Sequence, residues 1–194
     1  MKSTKLNGKD LITTGIYTAL YIVAIFIASI ANVTPLTFMF YPAVASLLGA
    51  VFFVMLATKV QKPGAIIIWG IIVGLLFMVL GMAMAFPFIV VGAVIAQLLI
   101  IKAGYTDFKV ITLAYAVISV LFIGGYAQLF VTTDQYLTEA AGRGLPQEFV
   151  NGIANYATLP FLLLMIVVSV IFAILGCLFA KKILKKHLLK AGVL

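Results

Sequence analysis

Four long runs without a charged side chain organise this sequence: Leu11–Thr58, Pro63–Ile101, Val110–Thr133 and Phe149–Ala180. A bilayer-spanning helix needs about 20 predominantly apolar residues. The first two runs are each long enough for a helical hairpin, and the last two fit one span each. The pattern predicts six spans, at about 11–30, 40–57, 65–81, 88–101, 110–130 and 157–180. Asn32, Thr34 and Pro35 punctuate the first outer turn, because Asn and Pro interrupt helices. Met82–Pro87 is a tight, uncharged turn that makes a close hairpin of the third and fourth spans. The segment 133–156 is the one substantial outer loop. It contains a predicted short helix, Asp134–Ala141, with Asp134 as its cap, then the breakers Gly142, Gly144 and Pro146. A second amphipathic stretch, Gln147–Tyr156, leads into the last span. A structured loop of this length is a candidate lid or binding element. The alternative is a solvated connector. No internal repeat relates the two halves.

Charge orients the pattern. Twelve of the 13 basic residues fall in four patches: Lys2/Lys5/Lys9, Lys59/Lys62, Lys102/Lys109 and Lys181/Lys182/Lys185/Lys186/Lys190. With six spans, every patch and both termini share one side, which the positive-inside rule makes cytoplasmic. The other side carries Arg143 with Asp134, Glu139 and Glu148. The expectation is an all-α integral membrane protein, one six-helix domain over residues 1–194, with both termini cytoplasmic. Composition agrees: 65% of the residues are hydrophobic and 9% charged, with a mean hydropathy of +1.27, more apolar surface than a small soluble globule can bury. The net charge of +8 does not point to nucleic acid, because the lysines sit in loops and in a basic tail helix, Lys181–Lys190, where they meet anionic lipid. The basic start before an apolar run resembles a signal peptide, but the run is too long and lacks a convincing cleavage site. It is read as the first span.

The spans contain no Asp, Glu, Lys, Arg or His, so no proton relay is evident. There is no HExxH zinc motif and no GxxxxGK[ST] phosphate loop. A serine nucleophile would lack a base at membrane depth. The expectation is a protein that is not an enzyme and has no metal or cofactor. The single cysteine, Cys177, is read as packing, and His187 as a surface residue of the tail. Gly70 and Gly74 form a GxxxG on the third span, and Gly15/Ala19 and Ala24/Ala28 are small-xxx-small pairs on the first. Small residues let helices approach closely in lipid. The first span therefore faces either an internal neighbour or another protein. Polar side chains at the outer ends are the ligand candidates: Asn32, Thr34, Tyr41, Tyr126, Gln128, Asn151, Asn155 and Tyr156. They share one membrane level and suit a pocket for a small polar molecule. The competing reading, strongest for Tyr41 and Tyr156, is an interfacial belt. Gln97 is read as an interhelical hydrogen-bonding group and Trp69 as an anchor near the cytoplasmic interface.

Six short spans, a basic start and tail, and a first span rich in small residues resemble the substrate-binding S component of an energy-coupling factor (ECF) transporter. That class carries an AxxxA-type motif on its first helix, matched here by Gly15-Ile-Tyr-Thr-Ala19, with Ala24/Ala28 as a second candidate. Gly15 stands where the first Ala is usual. The stretch Lys62-Pro-Gly-Ala-Ile-Ile-Ile-Trp-Gly70, followed by Gly74 and Gly81, is similar to the third-span region of a subgroup common in streptococci, lactobacilli and treponemes. The resemblance implies a multi-pass protein of the bacterial cytoplasmic membrane that binds a vitamin or related micronutrient, hinting at a pyrimidine- or pyridoxine-like ring. It implies partners too: a transmembrane T component, contacted through the first helix, and two ATPase subunits whose ATP hydrolysis drives uptake. The competing functions are a stand-alone secondary transporter and a membrane scaffold.

Overall fold

The computed structural model describes residues 5–190 and 192. Lys2 of the first basic patch lies outside the described residues, and so does the side chain of His187. The described chain is helical and contains no strand. The elements are α1 (Gly8–Ser29), α2 (Pro35–Met39), α3 (Tyr41–Lys59), α4 (Ala65–Val79), α5 (Ala85–Lys102), α6 (Phe108–Phe122), α7 (Ala127–Val131), α8 (Thr133–Gly142), α9 (Gln147–Ala154), α10 (Leu159–Ile183) and α11 (Lys185–Lys190).

Local chemistry explains the ends. Asn7 accepts from the Asp10 N–H while the Asp10 carboxylate accepts from the Asn7 N–H, both at 2.9 Å, a reciprocal cap that starts α1. Thr34 and Thr37 repeat the arrangement at α2, with Pro35 in its first turn. The turn after α1 therefore holds a short helix where the sequence pattern showed only a break. Asp134 does not cap α8. Thr132 occupies that position, its hydroxyl donating back to the Gln128 carbonyl rather than capping the helix, and Asp134 lies in the first turn, where a carboxylate still favours the helix dipole. α5 starts three residues ahead of the predicted span, because Pro87 is tolerated within a first turn. The predicted helix 110–130 is interrupted by a 3₁₀ turn, Ile123–Tyr126. Gly124 lies so close to Phe88 that an added Cβ would stand 2.1 Å from that ring. The basic tail is likewise not one helix: α10 stops at Ile183, and α11 restarts after Leu184 with Leu188 fully buried against the bundle.

Among the described residues, five helical segments are long and apolar enough to cross a membrane: Gly8–Ser29, Tyr41–Lys59, Ala85–Lys102, Phe108–Val131 and Leu159–Ile183. α4 is apolar but has 15 residues, a rise of about 22 Å against a hydrocarbon core of about 30 Å. The long helices close a ring in the order α1, α3, α10, α6, α5, α4 and back to α1, with α3 also touching α6 and α4. The GxxxG of α4 is internal packing: a Cβ at Gly70 would meet the Ala93 methyl at 2.3 Å, and one at Gly74 the Phe86 ring at 3.0 Å. Trp69 is not an interfacial anchor. It is 1% exposed, its ring 4.8 Å from Tyr21 and 5.6 Å from Phe53, because the face of α4 that carries it turns toward α1 and α3. Gln97 joins α5 to α4 as expected. Its carbonyl accepts from the Gly64 and Ile66 N–H groups at 3.0 and 3.2 Å, and its amide donates to Tyr105 at 2.9 Å. At the lysine-bearing end, Lys62 donates to Asp10 at 2.6 Å, tying α1 to the α3–α4 connection.

Candidate functional site opposite the lysine patches

The end of the bundle opposite the lysine patches is closed by two short helices, α2 and α9, that pack on one another. α9 is strongly amphipathic. It buries Val150 and Ile153 and presents Glu148, Asn151, Gly152 and Asn155 at helical spacing. The contact with α2 is close: a Cβ at Gly152 would stand 2.5 Å from the Pro35 ring. Below, Phe38 of α2 meets Tyr126 and Phe149 edge-on, with ring centroids 5.5 and 5.8 Å apart. The Tyr126 hydroxyl donates to the Phe38 carbonyl at 2.9 Å, satisfying a buried phenol and fixing α2 over the 3₁₀ turn.

Between α2 and α9 lies an open cleft of about 580 Å³. Thr34, Asn151 and Asn155 line it, together with Glu148, Phe149 and Val33. Three of the eight predicted ligand residues thus come together. Asn151 accepts from Gln147 at 2.9 Å, and Thr34 is engaged in its cap. Two residues before Thr34, the Asn32 side-chain oxygen is buried without a hydrogen-bond partner. A buried amide oxygen left unpaired costs about 1–3 kcal/mol; Asn32 does not itself line the cleft, but its sequence neighbour Val33 does.

The other predicted ligand residues are elsewhere. Tyr41 is buried, and its hydroxyl donates to the Ile25 carbonyl at 3.3 Å, joining α3 to α1. Tyr126 is spent on Phe38. Gln128 belongs to a separate network in which Glu139 accepts from Gln128 and Gln135, both at 3.1 Å, and from Arg143 at 3.3 Å. In the same region burial pushes the Tyr136 phenol up to about 12, against the opposing pull of Arg143. That hydroxyl stays protonated at neutral pH. Tyr156 packs its ring on Phe161 at 4.7 Å. Each of these four side chains already has an internal partner. Conversely, Glu148 and Phe149 enter the cleft although neither was singled out as a ligand. The spacing of Glu148, Asn151 and Asn155, three and seven residues along one helix face, was the signal available.

The small-residue pairs of α1 part company. Ala24 and Ala28 are 5% and 2% exposed, on the face of α1 packed within the bundle. They are not on a surface a partner can reach, and that pair is corrected to internal packing. Gly15 and Ala19 are exposed, and a Cβ at Gly15 would meet no atom within 4 Å. Among the described residues the fully buried polar side chains, Thr14, Thr18, Gln97 and Ser169 included, are uncharged. Among the described residues no three His, Cys, Asp or Glu side chains gather to hold a metal ion.

A helical bundle of this hydropathy, with charge confined to its ends, is an integral membrane protein. The family described as hypothetical bacterial integral membrane protein (Trep_Strep) matches residues 8–190. The chain belongs to that family. No curated protein and no solved structure matches it.

Proposed function

We propose that this protein is the substrate-binding subunit of an ATP-driven importer of the ECF type, taking up a small, neutral or weakly charged, vitamin-like ring from outside the cell. The observation that carries the reading is the cleft between α2 and α9, with Thr34, Asn151 and Asn155 in its walls; Asn32, next in sequence to the cleft residue Val33, carries an unpaired buried oxygen. Amide and hydroxyl groups between apolar walls suit a small polar ligand. The uncharged bundle interior supports a protein that leaves energy coupling to other subunits. In this reading all six long helices span the cytoplasmic membrane, α4 by local thinning of the bilayer, and both termini are cytoplasmic. ATP hydrolysis resides in two partner ATPases. Gly15 and Ala19 form the close-approach surface for a transmembrane partner.

Two measurements test it. Binding to the folded state raises apparent stability by mass action. A thermal-shift screen of the detergent-purified protein against water-soluble vitamins and their precursors should yield one strong stabiliser. No stabiliser across the panel, with the protein folded, overturns the binding reading. Gly15→Leu enters open space, so it should leave ligand-induced stabilisation within about twofold of wild type while abolishing copurification with the transmembrane and ATPase subunits. Loss of ligand binding with the complex retained would reject the assignment of α1.

A further inference from the structure

Two apolar cavities lie side by side on the lipid-facing surface of α6, between α5 and α10. One, of about 430 Å³, is lined by Ile95, Leu113, Ala116, Val117, Val120 and Val170, among others. The second, of about 230 Å³, is lined by Val120, Leu121, Ala127, Phe130 and Leu162, among others. They share Val120 and Leu121, so they join into one groove along the helix. Ala116, with a single methyl, leaves α6 low between its neighbours.

Each of the three helices carries, in its terminal turn at one end of the bundle, a lysine set in register with its own groove residues. Lys102 follows Ile95 by two turns of α5. Lys109 precedes Leu113, Ala116 and Val120 by 4, 7 and 11 residues of α6. Lys181 follows Val170 by 11 residues of α10. At 100° per residue each of these spacings returns to within about 40° of the same helix face. Lys181 leans across to α6, its ammonium 5.2 Å from the Phe108 ring centroid. None of the three lysines forms an ion pair among the described residues. The nearby acid is Asp107, whose carboxylate already accepts from the N–H groups of Lys109 and Val110 at 2.8 and 3.4 Å. This end of the three helices thus carries one engaged carboxylate against three lysines, with Lys182 and Lys185 just beyond in the chain, and the excess positive charge calls for an anion.

We infer that the α5–α6–α10 groove is a binding site for one anionic glycerophospholipid, its headgroup on Lys102, Lys109 and Lys181 and an acyl chain along Leu113–Val120. The length fits. Lys109 to Val120 spans about 16 Å at 1.5 Å per residue, and one leaflet of hydrocarbon is about 15 Å thick. Basic pockets between spans are recognised sites for anionic headgroups. The inference does not depend on the ligand of the outer cleft.

The test is native mass spectrometry of the purified chain after equilibration with phosphatidylglycerol and phosphatidylcholine of identical acyl chains. Wild type should retain phosphatidylglycerol about tenfold over phosphatidylcholine. The triple variant Lys102→Gln, Lys109→Gln, Lys181→Gln should bring the ratio near one. The control triple Lys185→Gln, Lys186→Gln, Lys190→Gln should keep most of the preference. Val120→Trp, which fills the groove, should lower retention of both lipids. Equal retention by wild type overturns the site. So does a preference that survives the first triple and vanishes in the control, which would assign it to the tail. Retention unaffected by Val120→Trp overturns the acyl-chain assignment.

Discussion

Asn151 and Asn155 bear on the outer cleft most directly, since they offer amide groups from an exposed helix face without holding the bundle together. With a ligand in hand, Asn155→Ala should weaken binding about three- to tenfold, the worth of one net hydrogen bond, without lowering the melting temperature of the empty protein. Titration calorimetry reads the first effect and a thermal scan the second. Tyr126 should behave in the opposite way. Its hydroxyl holds Phe38 of α2, so Tyr126→Phe should cost about 1 kcal/mol of stability, seen as a lower melting temperature in the absence of ligand. If Tyr126→Phe instead left stability unchanged and abolished binding, Tyr126 would return to the list of ligand contacts. Of the three candidate tyrosines, Tyr41 and Tyr126 are polar residues at the right depth, but depth does not say which way a side chain turns. Each found a backbone carbonyl inside the bundle.

Among the elements, α2 and α9 form a unit over the outer end, and their seam is the Gly152–Pro35 contact. Gly152→Val places a branched side chain where a single Cβ already stands 2.5 Å from Pro35. It should lift α9 off α2 and raise the rate of limited proteolysis within 133–156 several-fold, with the helical content of the spans unchanged by circular dichroism. Unaltered cleavage would mean that the seam opens at no cost. α9 was legible as an amphipathic stretch because its apolar positions repeat at helical spacing. α2 was not, since five residues are too few for periodicity to register, and its start depends on the Thr34/Thr37 cap. The break of 110–130 at Gly124 was equally hidden. Glycine is common within membrane helices, and only Phe88 of another helix shows why the chain turns there.

For the whole molecule, the reading with six crossings puts Lys62 and Glu148 on opposite sides of the membrane. In a background where the buried Cys177 is replaced by Ala, Lys62→Cys should react with a membrane-impermeant maleimide only after the cytoplasmic side is opened. Glu148→Cys should react in intact cells. Labelling of both from one side would overturn the six-span topology and with it the orientation of the cleft. α4 makes the experiment informative, because at 15 residues it is the helix whose crossing length alone leaves open. Its packing against α5 through Gly70 and Gly74 ties it to a neighbour of full length.

By itself the sequence determined that this is a helical membrane protein, where its long helices run and which end carries the lysines. Those properties follow from local sums, since the cost of moving charge and unpaired backbone into lipid is set residue by residue. Which faces meet was decided only by the tertiary structure. The same small-residue spacing is buried at Ala24/Ala28 and open at Gly15/Ala19. Trp69, which composition would place at an interface, is in the core. Three of eight outer polar residues share a cleft, while four others pair inside the fold. In a chain that is apolar nearly everywhere, hydrophobicity no longer distinguishes inside from outside, because lipid and core are equally good solvents for leucine. What remains to separate them is steric fit between particular helices, and that is a property of pairs of residues far apart in the chain.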